Sequence, residues 1–324
     1  MLIKDLKELK KTDTCPICGN SSFKNLGKIT NKKKGLQNLI TFFYDESYHV
    51  PEEIDNIFNL IKCLKCNHCC LSLMPNQIFL DNLYKNSSPY LAHDNKEELK
   101  KKKDHLKKKI DVVVTDFNHW IFRYLKNFKP GKYFEVGPGS CKLFNMFKHK
   151  NWNCEGYEVK TWILNENIYD HFDKIPKDKK DVMVIHDVLE HVSNPKEFLM
   201  RFSFFLKKSG LLFLAFPNAS SYRAKILKNK WRMISPLNHV NFFSKESSNQ
   251  MLEECGFRII SNKAVSQVSL KKLLKNIIKL PFLIILDLMK LNIQKVVNRL
   301  CEIIINIIDL ISGDQTHIVA IKND

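Results

Sequence analysis

Between Lys132 and Val265 short apolar runs alternate with longer amphipathic ones, and this alternation restricts the possible folds more than any other feature of the chain. "KYFEV" (132–136), "CEGYEV" (154–159), "DVMVI" (181–185), "LLFLAFPN" (211–218) and "RIISNKAV" (258–265) have the length and composition of strands. Between them, "NPKEFLMRFSFFLKKSG" predicts a helix ending at Gly210, and "SKESSNQMLEECGF" predicts one opened by Ser244. "THIVAIKN" (316–323) predicts a last strand. Strands and helices in this order give an α/β fold, a mostly parallel sheet covered by helices on both faces. Ahead of it Leu99, Leu106, Ile110, Val113, Phe117, Trp120 and Tyr124 recur at helical spacing until Pro130-Gly131 stops the helix.

The 324 residues divide into three blocks. Residues 1–94 form a Cys-rich and turn-rich N-terminal module. Residues 95–266 plus 313–324 carry the alternating core. Residues 267–312 read as a helical insert of two or three apolar helices studded with Lys. The insert suits a cap or homodimer surface, or a Lys-rimmed amphipathic face lying on acidic membrane. No window reaches the roughly 18 uncharged apolar residues of a membrane span. "MLIKDLKELKKTD" lacks an apolar stretch of signal-peptide length, so the expected location is cytoplasmic, with peripheral membrane contact as its variant.

In a reducing compartment ten Cys are metal ligands or core residues before they are disulfides. Cys15-Pro-Ile-Cys18-Gly and Cys63-Leu-Lys-Cys66-Asn are two C-x2-C knuckles with 44 residues between them. Each offers two thiolates from one tight turn, and together they complete a tetrahedral zinc site. Gly19 and Asn67 follow directly, and both residue types tolerate the left-handed conformation of such turns. Four Cys ligands close the site, so the expected zinc is structural. His68, Cys69 and Cys70 read as bystanders, and Cys141, Cys154 and Cys255 as small core residues.

The formal net charge of +18 points toward nucleic acid, but its make-up does not. Only 6 of the 52 basic residues are Arg, the better bidentate reader of phosphate and bases. The Lys residues are spread along the chain, and the run at 100–109 reads as a solvated helix face.

"EVGPGSCK" (135–142) places two glycines after a buried strand. A dinucleotide fingerprint would need a third Gly at 142, where this chain has Lys. Roughly 20 residues on, Glu158 ends the next strand, where a carboxylate can take both ribose hydroxyls. A nucleotide phosphate, a sulfonium cofactor and a bare packing turn each remain compatible with these glycines.

"DVMVIHDVLEHVSNPKEFLMRFSFFLKKSGLLFLAFPN" separates them. From about residue 110 to 265 the chain resembles the class I S-adenosylmethionine-dependent methyltransferases. The resemblance rests on Glu135, Gly137 and Gly139, on Val188 to Val192, on Leu206 to Gly210 with Pro217-Asn218, and on His239, Phe243 and Gly256-Phe257. Cys141 replaces the family's usual third Gly. With its zinc-knuckle N-terminus the chain is similar to a branch that includes nucleotide-sugar C-methyltransferases, whose tyrosines after the second knuckle correspond to Tyr84 and Tyr90.

The resemblance implies a Rossmann-like, doubly wound, seven-stranded sheet whose last strand inserts antiparallel beside the fifth. It implies S-adenosylmethionine held by Glu135, Gly137, Pro138, Gly139, Glu158, His186 and Asp187, with Asp170 a candidate for the adenine amine. His239 and His191 are the candidate general bases, and His191 equally suits a structural role on the helix after "HDVLE". Tyr84, Tyr90 and Trp231 are the candidate substrate contacts. The expected acceptor is a sugar or nucleotide-sugar of a surface-glycan pathway, methylated on carbon or oxygen. The rivals are an RNA or protein methyltransferase, a non-catalytic zinc-ribbon binding protein with a vestigial cofactor fold, and, more weakly, a NAD enzyme.

Overall fold

The computed structural model describes residues 9–29, 58–86, 115–139, 141–159, 166–231, 233–234, 239–266, 274, 276–281, 283–284 and 292–323. Tyr90, the lysine run at 100–109 and most of the insert before residue 292 lie outside them.

The chain opens on the strands β1 (Lys10–Lys11), β2 (Phe23–Lys28), β3 (Asn59–Cys63), β4 (Cys69–Leu71) and β5 (Leu73–Met74), then the helix α1 (Gln77–Asn86). The alternating core follows as α2 (Thr115–Leu125), β6 (Lys132–Val136), α3 (Lys142–Lys148), β7 (Asn153–Tyr157), β8 (Ile168–Tyr169), β9 (Lys180–His186), α4 (Pro195–Ser203) and β10 (Leu206–Pro217). It continues with α5 (Tyr222–Leu227), β11 (Asn241–Phe242), α6 (Lys245–Glu254), β12 (Phe257–Val265), α7 (Ile293–Ser312) and β13 (Gln315–Lys322).

Seven strands form one sheet in the order β8-β7-β6-β9-β10-β13-β12. β6, β7, β8, β9 and β10 are parallel, and β13 runs antiparallel between β10 and β12. The expected sheet and the place of its last strand are as observed. β6 through β8 build outward on one side, while β9 starts the other. The order therefore reverses between β6 and β9, and a ligand crevice is expected beyond their carboxyl ends.

Burial follows the pattern read from the sequence. Tyr133, Phe134 and Val136 of β6, Val182 to Ile185 of β9 and Leu212 to Phe216 of β10 are buried, as strands covered on both faces require. α6 begins with a capping box in which Ser244 and Ser247 satisfy each other's backbone N–H, so the chain enters it at a fixed angle.

One element differs from expectation. The helix read to Gly210 stops at Ser203, and Leu206 to Gly210 already belong to β10, with a register shift between Leu206 and Leu211. Ser209 there has φ 57, a left-handed kink that absorbs the extra residues. The run of Lys and Ser looked helical only because it continued an apolar periodicity beyond its true end.

The N-terminal strands do not stand apart. β2, β3 and β4 form a four-stranded sheet with β11, a strand from far along the chain. Cys15, Ile17, Cys63 and Cys66 pack in the same apolar cluster as Phe134, Met183 and Leu214 of the large sheet. Among the described residues no helix is long and apolar enough to cross a membrane.

Candidate functional site

The site is built on two chain reversals at the carboxyl ends of β6 and β9. After β6 the chain turns at Gly137 (φ 72) and Gly139 (φ 48), and Cys141 (φ 56) starts α3 in a left-handed conformation. Gly137 is required twice over. A Cβ there would sit 2.5 Å from Val188 Cγ2, a carbon of the segment after β9. At Gly139 an added Cβ would meet nothing within 4 Å, so the space over the turn is open. Cys141 at a position made for Gly costs about 1–2 kcal/mol of backbone strain. It is buried, as is Cys154.

Glu158 lies just past β7, and its Oε2 accepts a hydrogen bond from the Gly139 N–H at 3.1 Å. The turn and this carboxylate are thus one unit, although 19 residues separate them. Glu135 is 5% exposed, and the Tyr133 hydroxyl donates to its Oε2 at 2.9 Å. Burial pushes the Glu135 carboxyl up to about 7, against the pull of that hydroxyl and of His186. Pro138 is buried beneath the turn.

After β9 the chain turns at Asp187 (φ 51), a left-handed position that Asp tolerates better than most residues. His186 Nε2 lies 3.2 Å from Asp187 Oδ2, and its ring packs on Phe117, centroids 4.1 Å apart. Burial opposes charge on His186, but the carboxylates of Asp187 and Glu135 lift its pKa above the ordinary value. A single 3-10 turn, Leu189–His191, follows in place of the expected helix.

That turn carries a residue which sequence reasoning passed over. Glu190 is 1% exposed, and neither of its carboxylate oxygens has a hydrogen-bond partner. Burial, with the Asp187 charge beside it, pushes its carboxyl well above the usual range. A carboxylate oxygen of Glu190 and a ring nitrogen each of His191 and His239 lie within 4.8 Å of one another. The two imidazoles meet edge to face at 4.6 Å. The Met233 carbonyl lies 2.8 Å from His239 Nδ1 and can only accept, so Nδ1 carries the proton and Nε2 the lone pair. Burial and neighbouring His191 bring the His239 pKa down to about 3.

The segment holding His239 is fixed from both sides. The Val240 N–H donates to the Glu190 carbonyl at 2.8 Å, and Asn241 Nδ2 donates to the Val192 carbonyl at 2.6 Å. From the other side buried His68 Nε2 donates to Asn241 Oδ1 at 2.9 Å, and β11 pairs with β4. Ser244 Oγ donates to the Cys66 carbonyl. The knuckle module therefore supports the loop that carries His239.

In that module the four knuckle sulfurs lie within 4.8 Å of one another, with Cys15 to Cys66 and Cys18 to Cys63 each at 3.6 Å. Four thiolates about 2.3 Å from a zinc ion would be separated by about 3.8 Å, so the donor set fits a tetrahedral ion. Gly19 and Asn67 adopt φ 69 and φ 61, and their N–H groups return to the Cys15 and Cys63 carbonyls.

Two other candidate residues are engaged within the fold. Trp231 is 3% exposed in the apolar core of the small sheet, near Phe242, so it supports that sheet and offers no face to a substrate. Tyr84 lies on α1. Asp170 is ion-paired at the surface with Lys174 at 2.9 Å.

A family model described as a methyltransferase domain matches residues 114–262, the span containing both turns. No curated protein sequence matches the chain. Among solved structures the chain is similar to a SAM-dependent methyltransferase from Archaeoglobus fulgidus, at 18% identity over 64% of this chain and 93% of that one, with a TM-score of 0.42. It is also similar to the 1,6-didemethyltoxoflavin-N1-methyltransferase of Burkholderia thailandensis, at 10% identity over 70% of this chain and 86% of that one, with a TM-score of 0.43. Residues 114–262 form a methyltransferase domain, and the chain is an enzyme of that class.

Proposed function

We propose that this methyltransferase domain takes its methyl group from S-adenosylmethionine bound over the Gly137–Gly139 turn and transfers it to a small hydroxyl-rich acceptor, a sugar or nucleotide-sugar. One observation carries the reading: the Glu158 carboxylate bonded to the Gly139 N–H, beside a glycine whose open side a Cβ would fill. Glu158 would exchange that N–H for ribose hydroxyls. Gly137 and Gly139 let the backbone approach the amino-acid end of the cofactor, with Glu135 behind them for its ammonium. The bound cofactor supplies a methyl group on a positively charged sulfur, and the chain's task is to align the acceptor with it.

His186, Asp187, His191 and His239, at the carboxyl end of β9 and in the segments packed beside it, would offer hydrogen-bonding groups suited to hydroxyls. The Cys15, Cys18, Cys63 and Cys66 cluster would hold a structural zinc ion that keeps β11, and with it His239, in place. On α7, Ile293, Val297, Leu300, Ile304 and Ile311 expose apolar surface suited to a second copy or to peripheral contact with acidic membrane from the cytoplasm.

Calorimetry with S-adenosylmethionine, its demethylated product and NAD tests the reading. The expected result is binding of the first two with dissociation constants on the order of micromolar, weakened at least about tenfold by Glu158→Ala. Absence of binding by folded, zinc-loaded protein would sink it.

A further inference from the structure

α7 is turned inside out for a helix at a protein surface. Its acid is held inward: Asp309 is fully buried, and its Oδ2 accepts from Arg223 Nη1 of α5 at 2.5 Å. Its end is tied down, since Asn218 Nδ2 donates to the Gly313 carbonyl at 3.0 Å. Its apolar side faces out. Ile293, Val297, Leu300, Ile304, Ile307 and Ile311 are between 38% and 72% exposed. A helix packed on its own core has these faces the other way round.

The spacing of the six residues points to what covers them. They follow at steps of four, three, four, three and four, an average period of 3.5, which is the seam of two helices packed knobs into holes. A helix lying on lipid has a wider apolar stripe and a basic rim. In α7 Lys295 and Arg299 are balanced by Glu302 and Asp309, so the helix carries no net charge to draw it to acidic lipid. The basic pair stands in its first half and the acidic pair in its second, against the helix's own dipole. A partner helix running the opposite way brings unlike ends together. In that arrangement Ile293 of one copy opposes Ile311 of the other, Val297 opposes Ile307, and Leu300 opposes Ile304.

We propose that α7 pairs antiparallel with α7 of a second copy of this chain, about a two-fold axis near Cys301. The proposal does not depend on the methyl-transfer reading. A 20-residue helix is about 30 Å long and about 10 Å across, so α7 alone presents about 300 Å2 in projection. Tyr222 and Ile226 of α5, which packs beside α7, are 55% and 65% exposed and widen the strip. A standard interface takes about 800 Å2 of accessible surface from each copy, so the pairing is reversible rather than obligate.

Sedimentation equilibrium of the full zinc-loaded chain tests the pairing. The expected result is a dimer with a dissociation constant on the order of micromolar, raised at least about tenfold by Ile304→Glu. Because Ile304 is exposed, that variant should melt like the wild type, which shows that it folds. Cys301 is exposed beside the midpoint of the seam, so a short bismaleimide should join two wild-type chains but not two Cys301→Ser chains. A wild type that stays monomeric at about 100 micromolar overturns the proposal. An unchanged dimer in Ile304→Glu does so equally, and a dimer that cannot be joined through Cys301 refutes the antiparallel axis. A monomer that floats with phosphatidylglycerol vesicles, and stops doing so in Ile304→Glu, would give the face to lipid and overturn the second copy.

Discussion

The chain reversals after β6 and after β9 are made in different ways. The glycine turn comes from one β-turn-α unit and the strand after it, so that Glu135, Gly137, Gly139 and Glu158 fall within 24 residues. The cluster beyond β9 joins Glu190 and His191 to His239, 48 residues further on. His239 is positioned by Asn241, which is gripped by His68 of the knuckle module. A local turn depends on its own dihedral angles, whereas an assembled site depends on every element that holds it. The first should survive damage that removes the second.

Breaking the knuckles should give the largest effect. Cys63→Ser, or a chelator that strips the proposed zinc, should release β3 and β4 and so free β11 from its partner. Structural zinc sites contribute on the order of 10 kcal/mol to folding of small modules, so most of the small sheet should be lost. The expected signature is lost zinc, a melting transition lower by about 10 °C or more and abolished methyl transfer, with S-adenosylmethionine affinity reduced far less. Equal loss of cofactor binding would show that the two halves are one unit.

Two glycine substitutions test the other side. Gly137→Ala drives a Cβ into Val188 and destabilises the turn together with the segment leading to Glu190. Gly139→Ala meets no protein atom and should cost only about 1–2 kcal/mol of backbone strain, yet it fills the space proposed for the cofactor. Thermal melting and calorimetry should therefore diverge. Gly137→Ala lowers both stability and cofactor affinity, while Gly139→Ala lowers affinity by about tenfold or more with a smaller loss of stability. If Gly139→Ala binds S-adenosylmethionine like the wild type, the cofactor does not lie over that turn.

This contrast also explains what could be read from the sequence. The order of strands, the antiparallel insertion of β13, the Ser244 cap and the glycine turn follow from periodicity, capping and resemblance, which all act over short spans. The knuckle sulfurs are as close as their spacing required. Pairing of β4 with Asn241 and Phe242 left no trace, because a two-residue strand inside "SPLNHVNFF" has no periodicity to detect. Trp231 looked like a pocket residue, and only the tertiary packing of the small sheet shows it to be core. Glu190 was in view inside "VLEHV", but a single acid on a short turn does not reveal that it is buried beside His191, whose Nε2 lies 3.9 Å from its Oε1.

Glu135 gives the next effect. Burial pushes its carboxyl up to about 7, whereas an exposed Glu is ionised well below that. Below pH 7 it is neutral and offers little to an ammonium; above pH 7 it is charged. S-adenosylmethionine affinity should rise several-fold between pH 6 and pH 8, and Glu135→Gln should flatten that rise. Tyr133, His186 and Glu158 act on this carboxyl rather than Glu190, so Glu190→Gln should leave the rise intact.

His317 gives the smallest effect and confines it to the other half. Antiparallel insertion of β13 aligns His317 with Ala215 and, through it, with His186 at the carboxyl ends of the parallel strands. Its ring packs against Phe117 and Trp120, each at 5.0 Å. Burial, helped by the charge on His186, lowers its pKa to about 4, against an ordinary 6.5. Between those values the unfolded chain binds a proton that the folded chain refuses, so stability falls as pH drops from about 6.5 to about 4. His186, with its raised pKa, works in the opposite direction over its own range. His317→Gln should thus reduce the acid-dependent loss of stability seen in denaturant titrations at pH 7 and pH 5. The same variant should leave the pH profile of cofactor binding unchanged, because Glu135 and the glycine turn lie across the crevice. A shift in that profile would mean that His186 carries charge between the two sides, and that the local turn is less independent of the assembled cluster than its covalent compactness suggests.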